Sequence, residues 1–475
     1  MTQKFPMVAK TLKGLEDVLR DELIELGAEN VQIGLRMVSF EGNLEMMYRA
    51  NLCCRTALSI LKPIESFYAA NPDELYDAVR DIDWTRYLTP DSTFAIDSTV
   101  HSVDFPHSKY VVYRVKDGIV DFFNDRFGKR PSIRLSGADV LFNVHISDRT
   151  VTISLNSSGE PLNQRGYRVE QNQAPVNEVL AAGIILKTGW KGDCDFVDPM
   201  CGSGTFLIEA ALIARNIPPG IFRKSFAFER WSDFDRDLFE NVYNDDSREK
   251  TFAHKIYGGD KDPQAVAITR RNVKRAAADD CIEVVCKPFE EWIDPPKEGI
   301  LVTNPPYGER LKPEQIGDLY HSLGSTLKHH FKGYHAWILG YQEEHFSAIG
   351  LRPSVKFPIL NGSLECSLRE YVLFDGSMAS FKTAGGQTQN IDFKRPEKPD
   401  FKNRKPFAAN RKPERKFKDR KTDGRKPPRK QDKGPIVTPD KGPTIDESKT
   451  FRFSDKLMRS RRGWRKRTED DSENT

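Results

Sequence analysis

Short apolar runs alternate with amphipathic helical patterns from residue 194 onward, and this alternation constrains the fold more than any other feature of the chain. The predicted strands are 195–197, 255–258, 282–286, 300–303 and 335–340, and the predicted helices between them are 205–215, 263–278 and 314–331. Strands of one sheet joined through helices run parallel, with helices on both faces. The pattern therefore predicts an α/β fold with a mostly parallel, doubly wound sheet, closed by an antiparallel hairpin of residues 355–360 and 369–374.

A glycine loop, Asp198-Pro199-Met200-Cys201-Gly202-Ser203-Gly204-Thr205, follows the first of these strands and precedes a helix. Its two glycines let the backbone bend tightly and approach a ligand, and the helix N-terminus behind them favours carboxylate or phosphate oxygens. The loop lacks the Gly-Lys-Ser/Thr of a phosphate-binding Walker loop and is not a complete GxGxxG motif. Asp198 ends the strand, where it can face an ammonium or sulfonium centre. The predicted ligand contacts are Asp198, Met200, Cys201, Gly202, Ser203, Gly204 and Thr205.

Two aspartates follow the second predicted strand, within Gly258-Gly259-Asp260-Lys261-Asp262-Pro263. In doubly wound nucleotide-binding sheets an acid at the end of the second strand accepts hydrogen bonds from the ribose hydroxyls, and we predict that role for Asp260. Asp262 directly precedes a helix that opens with proline, the usual position of a capping aspartate. Asp262 is therefore predicted to be structural.

The segment Asn304-Pro305-Pro306-Tyr307, called the tetrad below, follows the fourth predicted strand. Asn304 offers a side-chain carbonyl, and the two prolines lack backbone N–H groups, so this backbone offers acceptors and few donors. Tyr307 offers a flat face on which a ring can stack. The combination suits an exocyclic amino group that donates two hydrogen bonds while its lone pair attacks an electrophile. A plain strand-to-loop exit is the alternative interpretation, because Asn-Pro is a common turn dipeptide.

Residues 1–158 show two smaller α+β patterns. Residues 1–42 predict a strand, a helix ending at Gly27 and two further strands. Residues 43–158 predict helices at 44–57, 72–81 and 114–127, a strand at 93–100 and a hairpin of 140–146 with 150–155, and another helix is predicted over 175–187. Basic side chains near the loops are candidates for phosphate contacts, although each also fits an ordinary solvated face: His107, Lys109, Arg126, Lys129, Arg130 and Arg134.

The last part of the chain differs from the rest in charge and in hydrophobic pattern. Residues 381–475 hold 29 Lys and Arg and 15 Asp and Glu, a net charge of +14, whereas the remainder holds 44 and 54, a net charge of −10. The segment lacks aliphatic periodicity and cannot bury enough apolar surface to offset its chain entropy, so we predict disorder over 379–475. A basic tail on an acidic body indicates a polyanionic partner.

Composition restricts where the protein works. No run of about 18 apolar residues occurs, so no membrane span is expected, and the first residues show no apolar secretory segment. The seven cysteines are scattered without a CxxC pair, which argues against a zinc site and a disulfide framework. A reducing cytoplasm is the expected compartment.

The glycine loop, Asp260 and the tetrad, in this order, resemble the class I S-adenosylmethionine-dependent methyltransferases, and the tetrad resembles their amino-methylating branch. With Gly308-Glu309-Arg310 added, the motifs are similar to RlmL-type 23S ribosomal RNA guanine-N2 methyltransferases. The resemblance covers about residues 1–375. It implies a ferredoxin-like subdomain (1–42), a THUMP RNA-binding domain (43–158), a Rossmann-like methyltransferase domain (159–378) and the basic tail (379–475). Longer members carry a second methyltransferase domain, so this chain resembles the single-domain form.

The resemblance implies S-adenosylmethionine as cofactor, held by the glycine loop, Asp260 and Asn304, and RNA as substrate, with no metal. Guanine would flip out of its stack into the pocket. Its N2 amino group would donate to the Asn304 side chain and the Pro305 carbonyl while Tyr307 stacks on the base, which makes Asn304, Pro305 and Tyr307 the predicted catalytic residues. One departure concerns the adenine contact: Pro288 stands near the acid that many family members carry after the third strand, and Phe289 is the candidate to pack on the ring instead.

Other functions fit parts of the pattern. The tetrad alone does not distinguish guanine N2 from adenine N6 or from a protein glutamine. Transfer RNA guanine is the nearest rival substrate, because THUMP domains also serve tRNA enzymes. The non-enzymatic alternative is an RNA-binding ribosome assembly factor with a relic site, and the intact glycine loop, Asp260 and tetrad argue against it.

Overall fold

The computed structural model describes residues 3–170, 175–296, 299–308 and 313–376, together with positions 381, 383, 391 and 392. These residues form two eight-stranded sheets with helices packed against them. No helix in the described ranges is long and apolar enough to cross a membrane. Glu309, Arg310 and, apart from those four positions, the predicted disordered tail lie outside the described residues.

The first sheet is built from the N-terminal third of the chain. Its elements are β1 (Phe5–Lys10), α1 (Glu16–Leu26), β2 (Glu29–Gly34), β3 (Met37–Gly42), α2 (Leu44–Cys53), β4 (Ser59–Tyr68), α3 (Pro72–Arg80), β5 (Thr93–His101), α4 (Ser108–Phe127), β6 (Ser132–Ile133), β7 (Val140–Ser147) and β8 (Thr150–Asn156). The strand order is β2-β3-β1-β4-β8-β7-β5-β6. The two N-terminal units expected from the sequence therefore share one sheet, because β4 pairs with β1 on one side and with β8 on the other.

Strand β4 is one of the elements that the sequence did not predict. Pro63 and charged neighbours interrupt its apolar pattern, and a proline argues against a central strand. The structure accommodates the proline at a shift in register between Pro63 and Glu65, where β4 pairs with β8. The helix predicted over 44–57 was also too long, since α2 ends at Cys53. By contrast, the β7–β8 hairpin and the end of α1 at Gly27, with φ of 96°, are confirmed.

The second sheet contains the predicted alternation. Its elements and their covering helices are α5 (Glu178–Thr188), β9 (Asp195–Asp198), α6 (Thr205–Ala214), α7 (Arg236–Asn244), β10 (Ile256–Asp260), α8 (Pro263–Arg275), β11 (Ile282–Cys286), β12 (Gly299–Thr303), α9 (Pro313–His330), β13 (His335–Gly340), α10 (Glu343–Ala348), β14 (Val355–Asn361), β15 (Leu364–Val372) and β16 (Ile391–Asp392). The order is β11-β10-β9-β12-β13-β15-β14-β16. Strands β9 to β13 are parallel, and β15 closes the sheet antiparallel to β13 and β14, so the predicted fold class is confirmed.

The insert of residues 216–254 joins the two sheets through aromatic packing. It contains short 3₁₀ turns at Pro219–Phe222 and Ala227–Arg230 and the helix α7. The ring of Tyr48, on α2, lies 4.6 Å from that of Phe228 and 5.4 Å from that of Phe239. Toward the second sheet, the ring of Phe252 lies 6.1 Å from that of Trp190, which packs on Phe196 of β9. Buried aromatic pairs of this kind add to the stabilisation that area burial supplies, so the insert packs against both sheets.

Candidate active site

The glycine loop connects β9 to α6 in a left-handed turn. Gly202 has φ of 55° and Gly204 has φ of 84°. Residues other than glycine rarely adopt these positive backbone angles. A Cβ at Gly204 would also lie 2.7 Å from Cγ2 of Thr269, a residue of α8 whose hydroxyl donates to the Gly202 carbonyl at 2.7 Å. Beside Gly202, by contrast, a Cβ would meet no described atom within 4 Å. The loop backbone is therefore fixed from behind and open in front.

Asp198 and Thr303 meet where two neighbouring strands end. Strands β9 and β12 are parallel neighbours, so their carboxyl ends lie at the same edge of the sheet. The Thr303 hydroxyl donates to Oδ1 of Asp198 at 2.8 Å, and the Met200 N–H donates to the same oxygen at 3.3 Å. Both residues are almost fully buried. This contact places the glycine loop directly beside the tetrad, which follows Thr303.

Burial raises the pKa of Asp198 to about 7, because desolvation outweighs its two hydrogen bonds. Since the folded-state pKa lies above the unfolded value, the stability that Asp198 contributes is present below about pH 4 and is lost as the pH rises through 7. The free energy of unfolding of the wild type should therefore fall more steeply between these pH values than that of Asp198→Asn, whose Oδ1 accepts the same two hydrogen bonds. Denaturant titrations across this range measure the two slopes, and equal slopes would contradict the expectation.

Asp260 braces the glycine loop. Its Oδ2 accepts from the N–H of Gly202 at 3.1 Å and its Oδ1 accepts from the N–H of Asp262 at 2.9 Å. Burial raises its pKa. Each carboxylate oxygen has a second acceptor position, which remains available for a ribose hydroxyl. The ribose contact of Asp260 therefore stays a prediction. Asp262 accepts from the N–H of Gln264 at 2.9 Å and begins α8, which confirms its structural role.

Residues 167–170, here called the strap, hold the glycine loop through hydrogen bonds. The Arg168 guanidinium donates to the hydroxyls of Ser203 and Thr205, both at 2.9 Å, so these two predicted ligand residues direct their side chains to the protein. The Nε of Arg168 is paired with Glu178 at 2.8 Å. From α8, the Asn272 amide donates to the Ser203 carbonyl at 3.0 Å and its oxygen accepts from the Val169 N–H at 2.9 Å.

Arg168→Met should weaken binding of S-adenosylmethionine about 10-fold, because charge-assisted hydrogen bonds that fix the loop are lost. The KM for the cofactor should rise with little change in kcat. Arg271→Met is the matched control: Arg271 pairs with Glu170 of the strap at the exposed surface, where an ion pair contributes little. Calorimetry on both variants is the measurement. Wild-type affinity in Arg168→Met would contradict this role for the strap.

The tetrad lies at the end of β12 with its tyrosine held in place. The Tyr307 hydroxyl donates to Oδ1 of Asn304 at 2.5 Å and accepts from Nδ2 of Asn361 at 3.4 Å. Burial raises the pKa of Tyr307, so this hydroxyl stays protonated as a donor. Pro305 is buried, whereas Pro306 is exposed. Asn304 retains a second acceptor position on its carbonyl oxygen, and an amino group can use it.

Sequence reasoning missed several residues of this region and misplaced one. Arg168 and Asn272 contact the glycine loop, and Asn361 contacts Tyr307, each from a distant part of the chain. No local motif marks these three residues, whereas Thr303 immediately precedes the tetrad. Phe289 lies in a 3₁₀ turn, Phe289–Glu291, is 3% exposed and stacks on the Phe331 ring at 6.0 Å. The side chain of Phe289 packs in the hydrophobic core between the sheet and α9. The expected contact of Phe289 with adenine is therefore wrong.

Comparison with known proteins identifies the family. Residues 165–370 match the family described as "RMKL-like, methyltransferase domain", residues 69–156 a THUMP domain and residues 6–61 an RlmL ferredoxin-like domain. A putative RNA methyltransferase of Synechocystis sp. is 36% identical over 372 residues, which cover 78% of this chain and 97% of the relative. The chain belongs to the RMKL-like methyltransferase family. The resemblance inferred from the motifs is thereby confirmed, while the exact domain boundaries stay predictions.

Two further proteins are similar to this RMKL-like methyltransferase over most of its described length. The ribosomal RNA large subunit methyltransferase K/L of Syntrophotalea carbinolica is 38% identical over 373 residues, 76% of this chain and 52% of the relative, so the chain spans about half the length of the K/L relatives. A crystal structure of a putative methyltransferase complexed with S-adenosylhomocysteine has a TM-score of 0.71 and 31% identity, and the match covers 79% of this chain and all of that one.

The residues of the glycine loop fit such a cofactor. The loop backbone is open beside Gly202, the N-terminus of α6 lies behind it, and the carboxylates of Asp198 and Asp260 are each held by loop N–H groups. Backbone donors suit a carboxylate, and acids at strand ends suit cationic centres and ribose hydroxyls. The cofactor of this RMKL-like methyltransferase is S-adenosylmethionine, as the sequence predicted; the individual contacts stay predictions.

Proposed function

We propose that this RMKL-like methyltransferase transfers a methyl group from S-adenosylmethionine to the N2 amino group of a guanine in large-subunit ribosomal RNA, in a reducing cytoplasm. The observation that carries the proposal is the tetrad, which directly follows the Thr303–Asp198 contact with the glycine loop and whose Asn304 oxygen is oriented by Tyr307. An acceptor-rich site of this kind, next to a methyl donor, suits an amino nucleophile. Guanine N2 is the amino group that the sequence motifs favour.

The chain's own residues supply positioning and charge. The bound cofactor supplies an electrophilic methyl group on a sulfonium. The Asn304 Oδ1 and the Pro305 carbonyl accept hydrogen bonds from the amino group, which turns its lone pair out of ring conjugation. Tyr307 offers its face to the flipped base, and its hydroxyl keeps the Asn304 amide in one orientation. The N–C bond forms as the S–CH₃ bond breaks, and the extra proton of the methylated amino group passes to solvent, so no titratable base in the tetrad is required. Preorganised acceptors of this type account for most of the acceleration.

Three features support RNA as the substrate. Residues 69–156 match a THUMP domain, and three relatives that are 35–38% identical to this chain are named as RNA or ribosomal RNA methyltransferases. The basic residues noted in the sequence lie on the surface of this domain: Lys109, Arg126, Lys129, Arg130 and Arg134 are exposed. Exposed cations on an RNA-binding domain can contact phosphates, and such contacts dominate nucleic-acid affinity.

Mass spectrometry of nucleosides from cells lacking the protein tests the proposal. N2-methylguanosine should decrease in large-subunit ribosomal RNA, and wild-type protein should restore it. An Asn304→Ala protein expressed at the same level should not. Loss confined to transfer RNA, or loss of N6-methyladenosine instead, would overturn the assignment of the substrate. Unchanged modification in every RNA fraction would favour a non-enzymatic role.

We further propose that the basic tail adds phosphate contacts. Removal of residues 381–475, which carry a net charge of +14, should weaken RNA binding and flatten its dependence on salt, because fewer counterions are released from the RNA. Filter binding at several salt concentrations measures the slope of log affinity against log salt for the full chain and the truncated one. An unchanged slope would show that the tail makes no such contacts.

A further inference from the structure

A cavity of about 630 Å³ opens between the tip of the β14–β15 hairpin and the start of α10. Its lining residues are Tyr341, Gln342, Glu344, Ser363, Leu364 and Glu365. Five of its six described lining residues are exposed, so the cavity is a shallow groove open to solvent. Neither the glycine loop nor the tetrad contributes to its lining, so the functional assignments above leave it without a role.

The cavity lies on the side of the tetrad that faces away from the glycine loop. Strand β12 lies between β9, which leads into the glycine loop, and β13, which leads into Tyr341. Tyr341 therefore follows β13 as Asn304 follows β12, at the same edge of the sheet, where ligands of such folds bind. The rings of Tyr341 and Tyr307 are 6.4 Å apart at 41°, and Tyr341 is 41% exposed.

The hairpin tip connects the two places directly. Asn361, which donates to the Tyr307 hydroxyl, pairs across the hairpin with Leu364, a lining residue. Cys366, two residues further along β15, also contacts the Tyr307 hydroxyl, at 3.8 Å. A ligand in the cavity therefore lies next to whatever occupies the tetrad.

The chemistry of the lining identifies the ligand class. Carboxylates of Glu344 and Glu365, the Gln342 amide and the Ser363 hydroxyl provide acceptors, and no lysine or arginine occurs among the described lining residues. Such a lining disfavours a phosphate. It suits the imino and amino N–H groups of a nucleobase edge, and guanine presents two adjacent donors, N1–H and N2–H, to a carboxylate. The exposed tyrosine provides the stacking face that bound single-stranded bases use.

We propose that this cavity is a second nucleobase subsite, which takes an unpaired base, preferably guanine, next to the base at the tetrad. The base stacks on Tyr341, and its N–H edge donates to Glu344 or Glu365. This inference rests on the proposed RNA methylation, because it assigns the flanking nucleotide of the same substrate. It makes recognition depend on a splayed single-stranded segment, which is the usual form of sequence-specific RNA recognition.

The test uses the full chain and large-subunit ribosomal RNA from cells lacking the protein, with RNA affinity by filter binding and KM and kcat measured separately. Tyr341→Ala should weaken RNA binding and raise the KM for RNA about 5- to 150-fold, the range expected for one lost base–aromatic stack, while Tyr341→Phe stays within about 2-fold because it keeps the ring. Cofactor affinity should not change in either variant. Equal RNA affinity for Tyr341→Ala and the wild type would overturn the proposal.

The acidic residues give a second test, in which the expected change in RNA affinity is opposite to the usual effect of removing negative charge. Removing negative charge ordinarily strengthens binding to RNA, yet the double variant Glu344→Gln, Glu365→Gln should bind it more weakly. Glu283→Gln, on the opposite edge strand β11, is the matched control and should bind RNA equally or more tightly. Tighter binding by the double variant would overturn the role of the carboxylates. If the wild type methylates no RNA but Tyr341→Ala still weakens binding, the proposed function fails while the subsite stands.

Discussion

Asn304→Ala should lower kcat for methylation about 10²- to 10³-fold, the loss that follows removal of one preorganised polar group from an active site. The Asn304 oxygen is the side-chain acceptor that the tetrad offers to an amino group, and it lies at the end of β12 rather than in the glycine loop. The resemblance also implies a cofactor contact for Asn304, but the glycine loop and Asp260 supply the other predicted contacts. The affinity for S-adenosylmethionine should therefore fall far less than kcat. Single-turnover rates and calorimetry measure the two quantities separately.

Tyr307→Phe is the matched control for this substitution. It keeps the stacking ring and removes the hydroxyl that donates to Asn304 and accepts from Asn361. It should lower kcat less than Asn304→Ala does, because the acceptor remains and only its orientation is relaxed. Cofactor affinity that falls in parallel with the rate in Asn304→Ala would contradict this division between the tetrad and the glycine loop.

Glu209→Ala should lower the free energy of unfolding by about 3–5 kcal/mol, because it leaves a buried guanidinium without its counter-charge. Arg165 and Glu209 are 2% and 0% exposed, and their Nε and Oε1 atoms lie 3.3 Å apart. The Tyr167 hydroxyl donates to the same oxygen at 2.8 Å. Arg165 also donates to the carbonyl of Arg55, between α2 and β4. The pair therefore ties the first sheet to α6, the helix that follows the glycine loop.

The double variant Arg165→Met, Glu209→Leu is the control for the ion pair itself. Replacing both charges by apolar groups of similar volume removes the unpaired charge, so most of the lost stability should return. Denaturant titration of the three proteins measures these differences. A loss below about 1 kcal/mol in Glu209→Ala would show that Arg165 does not depend on this carboxylate.

The features predicted correctly have local causes. The alternation of apolar runs and helical patterns predicted β9 to β13 and their helices, because each element must bury one face. The helix cap at Asp262, the end of α1 at Gly27 and the turn of the glycine loop depend on residues a few positions apart. The motifs of the site are likewise continuous in sequence, so their order alone was enough to indicate the family and its cofactor.

The tertiary structure decided what depends on residues far apart in the chain. β4 contains a proline, which lies at a register shift in the pairing of β4 with β8. Arg168 contacts Ser203 and Thr205, which lie 35 and 37 residues later in the chain. Thr303 contacts Asp198 across 105 residues. The sequence by itself determined the α/β fold class, the methyl donor and the acceptor-rich tetrad. Only packing decided which side chains hold the loop, that Phe289 belongs to the core and that Tyr341 stands beside Tyr307, because these contacts join elements that no local pattern relates.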